Sequence, residues 1–225
     1  MKPIFEYDLH LPAGMESGRT YPAIFTLHGK GSNERNMHVL TESLTKDFII
    51  IAIRGGLTLG AGFQYYELKS LGHPIRESFD LAVRSLQEFI AYATERYPID
   101  AQRRYVLGFS QGAILAMTLA LTMGEQLKGI VALNGYVPDF VKTEYPLQPV
   151  ERVSVFVSHG EFDGVFPVRI GYETAAYWRE LNAGLTFTIY PSEHTVTDEN
   201  RRDFTEWLLR DAGLGLLHTK GGDIQ

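Results

Sequence analysis

From about residue 23 onward, apolar positions come in blocks that switch between two periods. Residues 23–27 (AIFTL), 48–53 (FIIIAI), 105–107, 130–133, 153–158 and 186–190 are short, near-continuous apolar runs. Runs of this length, many of them β-branched, read as strands covered on both faces. Between them the period lengthens. Ile75, Phe79, Val83, Leu86, Phe89 or Ile90, Ala93 and Tyr97 recur every three or four positions, a long amphipathic helix ended by Pro98. Residues 113–123 (AILAMTLALTM) are apolar almost all round, as in a helix sunk in a large core. Further helices are expected over residues 36–45, from a first turn at Pro167 to Ala183 with Gly184 as its cap, and over 199–212. The N-terminal stretch 4–11 alternates through Phe5, Tyr7 and Leu9 and suits an antiparallel edge strand. Strands alternating with helices predict an α/β fold, a mostly parallel central sheet with helices on both faces.

Two segments, 54–74 and 134–150, show no clear period. In such sheets functional loops lie beyond the carboxyl ends of the strands, so these segments are either walls of a site or ordinary surface loops. The 225 residues are expected to form one domain over 1–217, with a flexible tail over 218–225. A hydrophobic content of 44% supplies the core, and a net charge of −6 argues against nucleic acid or an anionic membrane as partner. The chain has no cysteine, which excludes disulfides, thiolate metal sites and a cysteine nucleophile. Acidic residues follow the N-terminus before any signal-like apolar run, and no segment approaches 18 consecutive apolar residues. A cytoplasmic protein without a membrane span is the default expectation.

The candidate chemistry starts at Gly108-Phe109-Ser110-Gln111-Gly112, a G-x-S-x-G pattern between a buried strand and a buried helix. A serine on that sharp turn has its hydroxyl lifted clear of the sheet, with the Gln111 N–H free at the helix N-terminus to meet an oxyanion. A serine nucleophile needs a base, and the base an orienting carboxylate. Among the seven histidines, His10, His38, His73 and His218 read as structural or exposed, and His28 and His159 as ties between loops. His194 lies in the loop after the last strand, at the same sheet edge as Ser110. Asp163 follows the 153–158 strand, with Glu161 as its rival in that loop and Asp139 a more distant one. Ser110, Asp163 and His194 thus follow successive strands in the order Ser, Asp, His. His28-Gly29-Lys30-Gly31, after the 23–27 strand, offers the Lys30 N–H as a second oxyanion donor, and it lacks the spacing of a phosphate-binding P-loop.

LHGKGSNERN, GFSQGA, HGEFDGVFP and EHTVTDE together resemble the phospholipase/carboxylesterase family of α/β-hydrolases, which includes acyl-protein thioesterases. The resemblance spans about residues 20–212. It implies an α/β-hydrolase fold with Ser110 as nucleophile, Asp163 as acid, His194 as base and the backbone N–H groups of Lys30 and Gln111 as oxyanion donors. It implies no metal and no cofactor. Where Lys30 stands members often carry an apolar residue, and where Ser192 and Glu193 stand they often carry glycines, so Lys30 could bring a positive charge to the site and Glu193 could neutralise it. Phe63, Tyr65 and Tyr66 are candidates to line an acyl or aromatic pocket, or simply to pack.

The expected activity is hydrolysis of short or medium carboxylic esters through an acyl-enzyme. A thioesterase or other acyl hydrolase on the same triad, and a non-catalytic binding protein of the same fold, stand as alternatives. The expected partner is a small ester or thioester; a homodimer stays open.

Overall fold

The computed structural model describes residues 5–214, so the expected tail over 218–225 and Ile4 of the expected edge strand lie outside the described residues. In chain order the elements are β1 (Tyr7–His10), β2 (Tyr21–Leu27), α1 (His38–Thr41), β3 (Ile49–Ile53), β4 (Leu57–Leu59), β5 (Gly62–Gln64), β6 (Leu68–Ser70) and β7 (His73–Pro74). These are followed by α2 (Arg76–Arg96), β8 (Ile99–Phe109), α3 (Gln111–Met123), β9 (Gly129–Leu133) and α4 (Asp139–Glu144). Then come β10 (Ser154–Gly160), α5 (Val168–Glu180), β11 (Gly184–Tyr190) and α6 (Asp198–Asp211). Seven strands form one sheet in the order β1-β3-β2-β8-β9-β10-β11, parallel except for β1, which runs antiparallel along β3.

Strand alternation divides the core into two layers. Phe25, Ile51, Val106, Ile130 and Val155 face the layer that buries α2, α3 and Trp178 of α5. Ile24, Ile50, Leu107, Val131 and Phe156 face the opposite layer with Phe204, Trp207 and Leu208 of α6. The expected parallel sheet covered on both faces is therefore present. The helix α3 is buried along nearly its whole length, as its unbroken apolar sequence demands.

Several local expectations differ. The strand expected over 105–107 runs from Ile99, because Ile99 already pairs with Tyr21 and, past a register shift, Arg104 with Ala23. The helix expected over 36–45 is a chain of three short pieces: a 3₁₀ turn at Glu34–Met37, α1, and a second 3₁₀ turn at Glu42–Leu44. Pro167 caps α5 from outside, and Gly184 is the first residue of β11 rather than the cap. Asn182 takes the left-handed conformation there (φ 56°), which an asparagine tolerates. The segment without a period after Ile53 folds into two small hairpins, β4–β5 and β6–β7.

Backbone packs closely where β8 turns into α3. A Cβ on Gly112 would sit 2.0 Å from the Leu27 carbonyl oxygen, and one on Gly108 2.1 Å from the Gly112 oxygen. Both contacts are with backbone, so neither is relieved by moving a side chain. Gly112→Ala is expected to lose about 1–3 kcal/mol or more of stability, whereas Gly164→Ala, with nothing within 4 Å of its Cβ, should stay within about 0.5 kcal/mol. Urea denaturation of the two variants against the unaltered chain measures the difference.

Candidate active site

Ser110 follows the last residue of β8 with φ 53° and ψ −114°. Such a conformation is costly for a residue with a Cβ and persists only where its surroundings impose it. Here the Ser110 N–H donates to the Leu133 oxygen at 2.9 Å, and the Ser110 oxygen accepts from the Ala113 and Ile114 amides at 2.9 and 3.1 Å. Strand pairing before the serine and helix initiation after it leave the backbone no other path.

The hydroxyl of Ser110 lies 2.9 Å from His194 Nε2, and His194 Nδ1 lies 2.7 Å from Asp163 Oδ2. Asp163 is 5% exposed and saturated with donors. Its Oδ2 also accepts from Asn134 Nδ2 at 3.0 Å, and its Oδ1 accepts from the Val165 and Phe166 amides, each at 2.8 Å. Burial pushes the Asp163 pKa up, but the hydrogen bonds from Asn134, His194, Phe166 and Val165 outweigh it and hold the carboxyl below its ordinary value. An ionised carboxylate only accepts, so the Nδ1–H of His194 donates to it and Nε2 is left to accept from Ser110. The His194 ring lies between Phe109 and Phe166, centroids 5.1 and 5.4 Å away.

The loop after β2 runs over the nucleophile. A Cβ on Gly29 would stand 3.1 Å from the Phe109 ring and 3.5 Å from Ser110 Cβ. Among the described residues neither the Lys30 nor the Gln111 amide donates to a backbone carbonyl, whereas the Gly31 amide does, to Phe63. His28, fully buried, steers this loop. Its Nε2 accepts from the Gly55 amide at 2.9 Å, so Nδ1 carries the proton and donates to the Gly29 oxygen at 2.8 Å. Burial lowers the His28 pKa, in keeping with a neutral ring.

Ser110, His194, Lys30 and Gln111 line a cavity of about 300 Å³ with Phe109, Phe166, Leu68, Leu71, Ile114 and Tyr136 among its walls. Of the three aromatic residues expected to line a pocket, only Tyr66 does. Tyr65 is buried behind it, its hydroxyl donating to the Ile53 oxygen at 2.7 Å and accepting from the His28 amide. Phe63 lies under the Arg54 guanidinium, 4.8 Å from ring centroid to Cζ. Both serve the loop scaffold, not the cavity. The side chain of Gln111 completes that scaffold by accepting from the Tyr65 amide and donating to the Tyr66 oxygen.

The rival groups lie elsewhere. Glu161 is exposed, and Asp139 opens α4 paired with Lys142. His159 is buried with Nε2 donating to the Phe166 oxygen at 2.7 Å, under the loop that carries Asp163. His10 meets the Thr45 oxygen, His38 pairs with Asp8 and His73 with Ser70, while His218 is outside the described residues. Asn134, unexpected from sequence, sits directly after β9 with φ 54°, the position Ser110 holds after β8. Its signal was available as an Asn-Gly pair at the end of a buried strand.

A family model described as Phospholipase/Carboxylesterase matches residues 16–209. The chain belongs to that family. Among its relatives, acyl-protein thioesterase 1 of Candida albicans is 24% identical over 225 residues, covering 89% of this chain and 95% of the relative. The carboxylesterase structure from Bacillus cereus superposes with a TM-score of 0.82 at 22% identity, over 92% of this chain and 95% of that one. That from Mesorhizobium loti gives 0.80 at 22% identity, over 91% and 94%. This phospholipase/carboxylesterase member therefore has the α/β-hydrolase fold and is a hydrolase of the carboxylesterase/thioesterase kind. Among the described residues, no helix is long and apolar enough to cross a membrane.

Because the folded-state pKa of Asp163 lies below its unfolded value, near 3.8, its contribution to stability is complete above that value. It is lost as pH falls through the folded pKa. Asp163→Asn should therefore be less stable than the unaltered chain at pH 7 and show a flatter fall of stability between about pH 4 and 2. Urea melts across that range read both effects.

Proposed function

We propose that this chain is a serine hydrolase that cleaves short or medium carboxylic esters through a covalent acyl-enzyme. The observation that carries the reading is the unbroken relay from Ser110 through His194 to Asp163, at 2.9 and 2.7 Å. Nε2 of His194 takes the Ser110 proton as Oγ attacks the ester carbonyl, and Asp163 holds the ring and offsets the imidazolium charge. The amides of Lys30 and Gln111 receive the oxyanion of the tetrahedral intermediate, each such donor being worth roughly 3–4 kcal/mol. Collapse of that intermediate expels the alcohol, which leaves with the proton from His194. Water, deprotonated by the same nitrogen, then attacks the acyl-enzyme and releases the acid and free Ser110.

A cavity of about 300 Å³ lies at the small end of ligand sites, which favours short acyl groups over lipid chains. The same relay would open a thioester, and a relative bears the name acyl-protein thioesterase 1. Hydrolysis of p-nitrophenyl esters from acetate to long acyl chains, beside an acyl-thioester, separates these substrates. Turnover of the shorter esters is expected, with kcat lowered at least ~10⁴-fold in Ser110→Ala and His194→Ala alike, since groups that act as a unit fail together. Equal turnover by Ser110→Ala would refute the mechanism.

A further inference from the structure

The negative charge beside the cavity, that of Asp163, is buried behind His194 and met by its four donors. Of the side chains in the cavity wall, Lys30 carries a positive charge and none is a carboxylate. A second cavity of about 540 Å³ adjoins it, with Gly72 and Tyr136 in both walls. Its lining carries Lys69, His73, Lys142 and Arg169 against Asp139 and Glu173. Both acids are already claimed, Asp139 by Lys142 at 2.9 Å and Glu173 by Arg169 at 2.8 Å.

This leaves one lysine in each cavity, Lys30 and Lys69, without an ion-pair partner within 4 Å among the described residues. Glu193, the residue best placed in sequence to neutralise Lys30, lines neither cavity and pairs with no cation among the described residues. On a chain of net charge −6, a concave surface of locally positive sign runs against the background, and concave walls of low dielectric focus such a field. A neutral ester gains nothing from it; an anion gains charge-assisted hydrogen bonds.

The boundary between the cavities is equally suggestive. Tyr136 stacks edge-on against Phe166, centroids 5.1 Å apart, and its hydroxyl makes no hydrogen bond among the described residues. Burial, then the nearby Asp139, raises its pKa to about 12. The phenol therefore keeps its proton and can donate to an anion passing it. Across from it, the β6–β7 hairpin presents Leu71, 58% exposed, with Gly72 in the left-handed turn at φ 78°.

We propose that the substrate is an anionic ester or thioester, its apolar body in the smaller cavity and its carboxylate or phosphate beyond Tyr136 at Lys69, with Lys30 at the entrance adding to the attraction. This substrate class rests on the acyl-hydrolase reading above. The negative charge belongs either to the acyl part or to the leaving group, and a matched set of esters distinguishes the two. The set is p-nitrophenyl butyrate (neutral), the p-nitrophenyl half-ester of adipic acid (charge on the acyl end) and carboxy-nitrophenyl butyrate (charge on the leaving group).

The readout is the ratio of kcat/KM, charged over neutral, for the unaltered enzyme, Lys69→Glu, Lys69→Met and Lys30→Met at low ionic strength. Comparing one ratio between variants cancels the intrinsic reactivities of the esters. For at least one charged ester the ratio should fall about tenfold in Lys69→Glu and by less in the two methionine variants. In the unaltered enzyme it should also fall as salt is raised. The ester that responds tells which side of the scissile bond bears the charge. Ratios that do not move, with the neutral ester still turned over, overturn the anionic substrate alone. If no ester is cleaved faster by the unaltered chain than by Ser110→Ala, the acyl-hydrolase reading itself falls. Calorimetric binding of adipate and carboxy-nitrophenol to the unaltered chain and Lys69→Glu then decides the groove: binding weakened by the charge reversal upholds an anion site, and its absence removes it.

Discussion

Everything at the candidate site depends on one close approach, the carbonyl of Leu27 against Gly112. Only a residue without a Cβ lets α3 come down onto β2 at that distance. Gly108 performs the same office one turn earlier against Gly112 itself. With strand and helix in contact on both sides, Ser110 must take its left-handed backbone (φ 53°). The strain of such a residue, about 1–3 kcal/mol, is offset locally by the three backbone hydrogen bonds it makes to Leu133, Ala113 and Ile114. The position of the hydroxyl in the cavity wall is a consequence of packing deep in the sheet, not of the loop in which it lies.

The remaining members are brought to the serine by parallel pairing. At the carboxyl edge the chain makes a stair of hydrogen bonds, each from the residue or two just past a strand to the end of the next strand. The Ser110 amide donates to Leu133 of β9, the Asn134 amide to Ser158 of β10, and the Glu161 amide to Tyr190 of β11. Three loops are thereby fixed in sequence, carrying the nucleophile, the amide that steadies Asp163, and Asp163 itself. The fourth follows β11 and carries His194, tied back where the Phe162 amide meets the Ser192 oxygen. Long-range geometry with 2.7–3.0 Å contacts is thus set by strand register.

That dependence explains what could be read from the sequence. The strands at 23–27, 48–53 and 130–133 and the helix α3 are defined by their own apolar runs, so composition alone exposes them. Ser110, Asp163 and His194 were legible because each follows such a strand, and the chain order of loops maps onto one sheet edge. Phe63 and Tyr65 were not, because their placement depends on Arg54, Glu34 and His28, partners 9 to 37 positions away with no local pattern. The two hairpins after Ile53 were hidden for a different reason. Strands of two or three residues, largely exposed in β4, β6 and β7, have no buried face to impose a period. For Asn134 the Asn-Gly pair marks the turn, but nothing local points to its side chain's partner, Asp163, 29 positions away.

The histidines at the ends of the strands serve the site in different ways. His28 and His159 each give a ring N–H to a backbone carbonyl, Gly29 in one case and Phe166 in the other. A peptide unit is planar and trans, so its N–H points opposite to its C=O. Turning the Gly29 oxygen toward His28 therefore turns the Lys30 amide away from that ring, which supports the oxyanion role proposed for it. The His159 bond likewise restrains the Phe166 segment, whose amide steadies Asp163. His28, with both nitrogens committed in a buried site, is held neutral. His159 Nε2 comes only within 3.6 Å of the Asp163 carboxylate, whereas His194 Nδ1 meets it at hydrogen-bond distance, and four donors keep that carboxylate ionised. An imidazolium formed there in the proposed reaction has its counter-charge already in place, at 2.7 Å, while Nε2 faces the Ser110 hydroxyl at 2.9 Å.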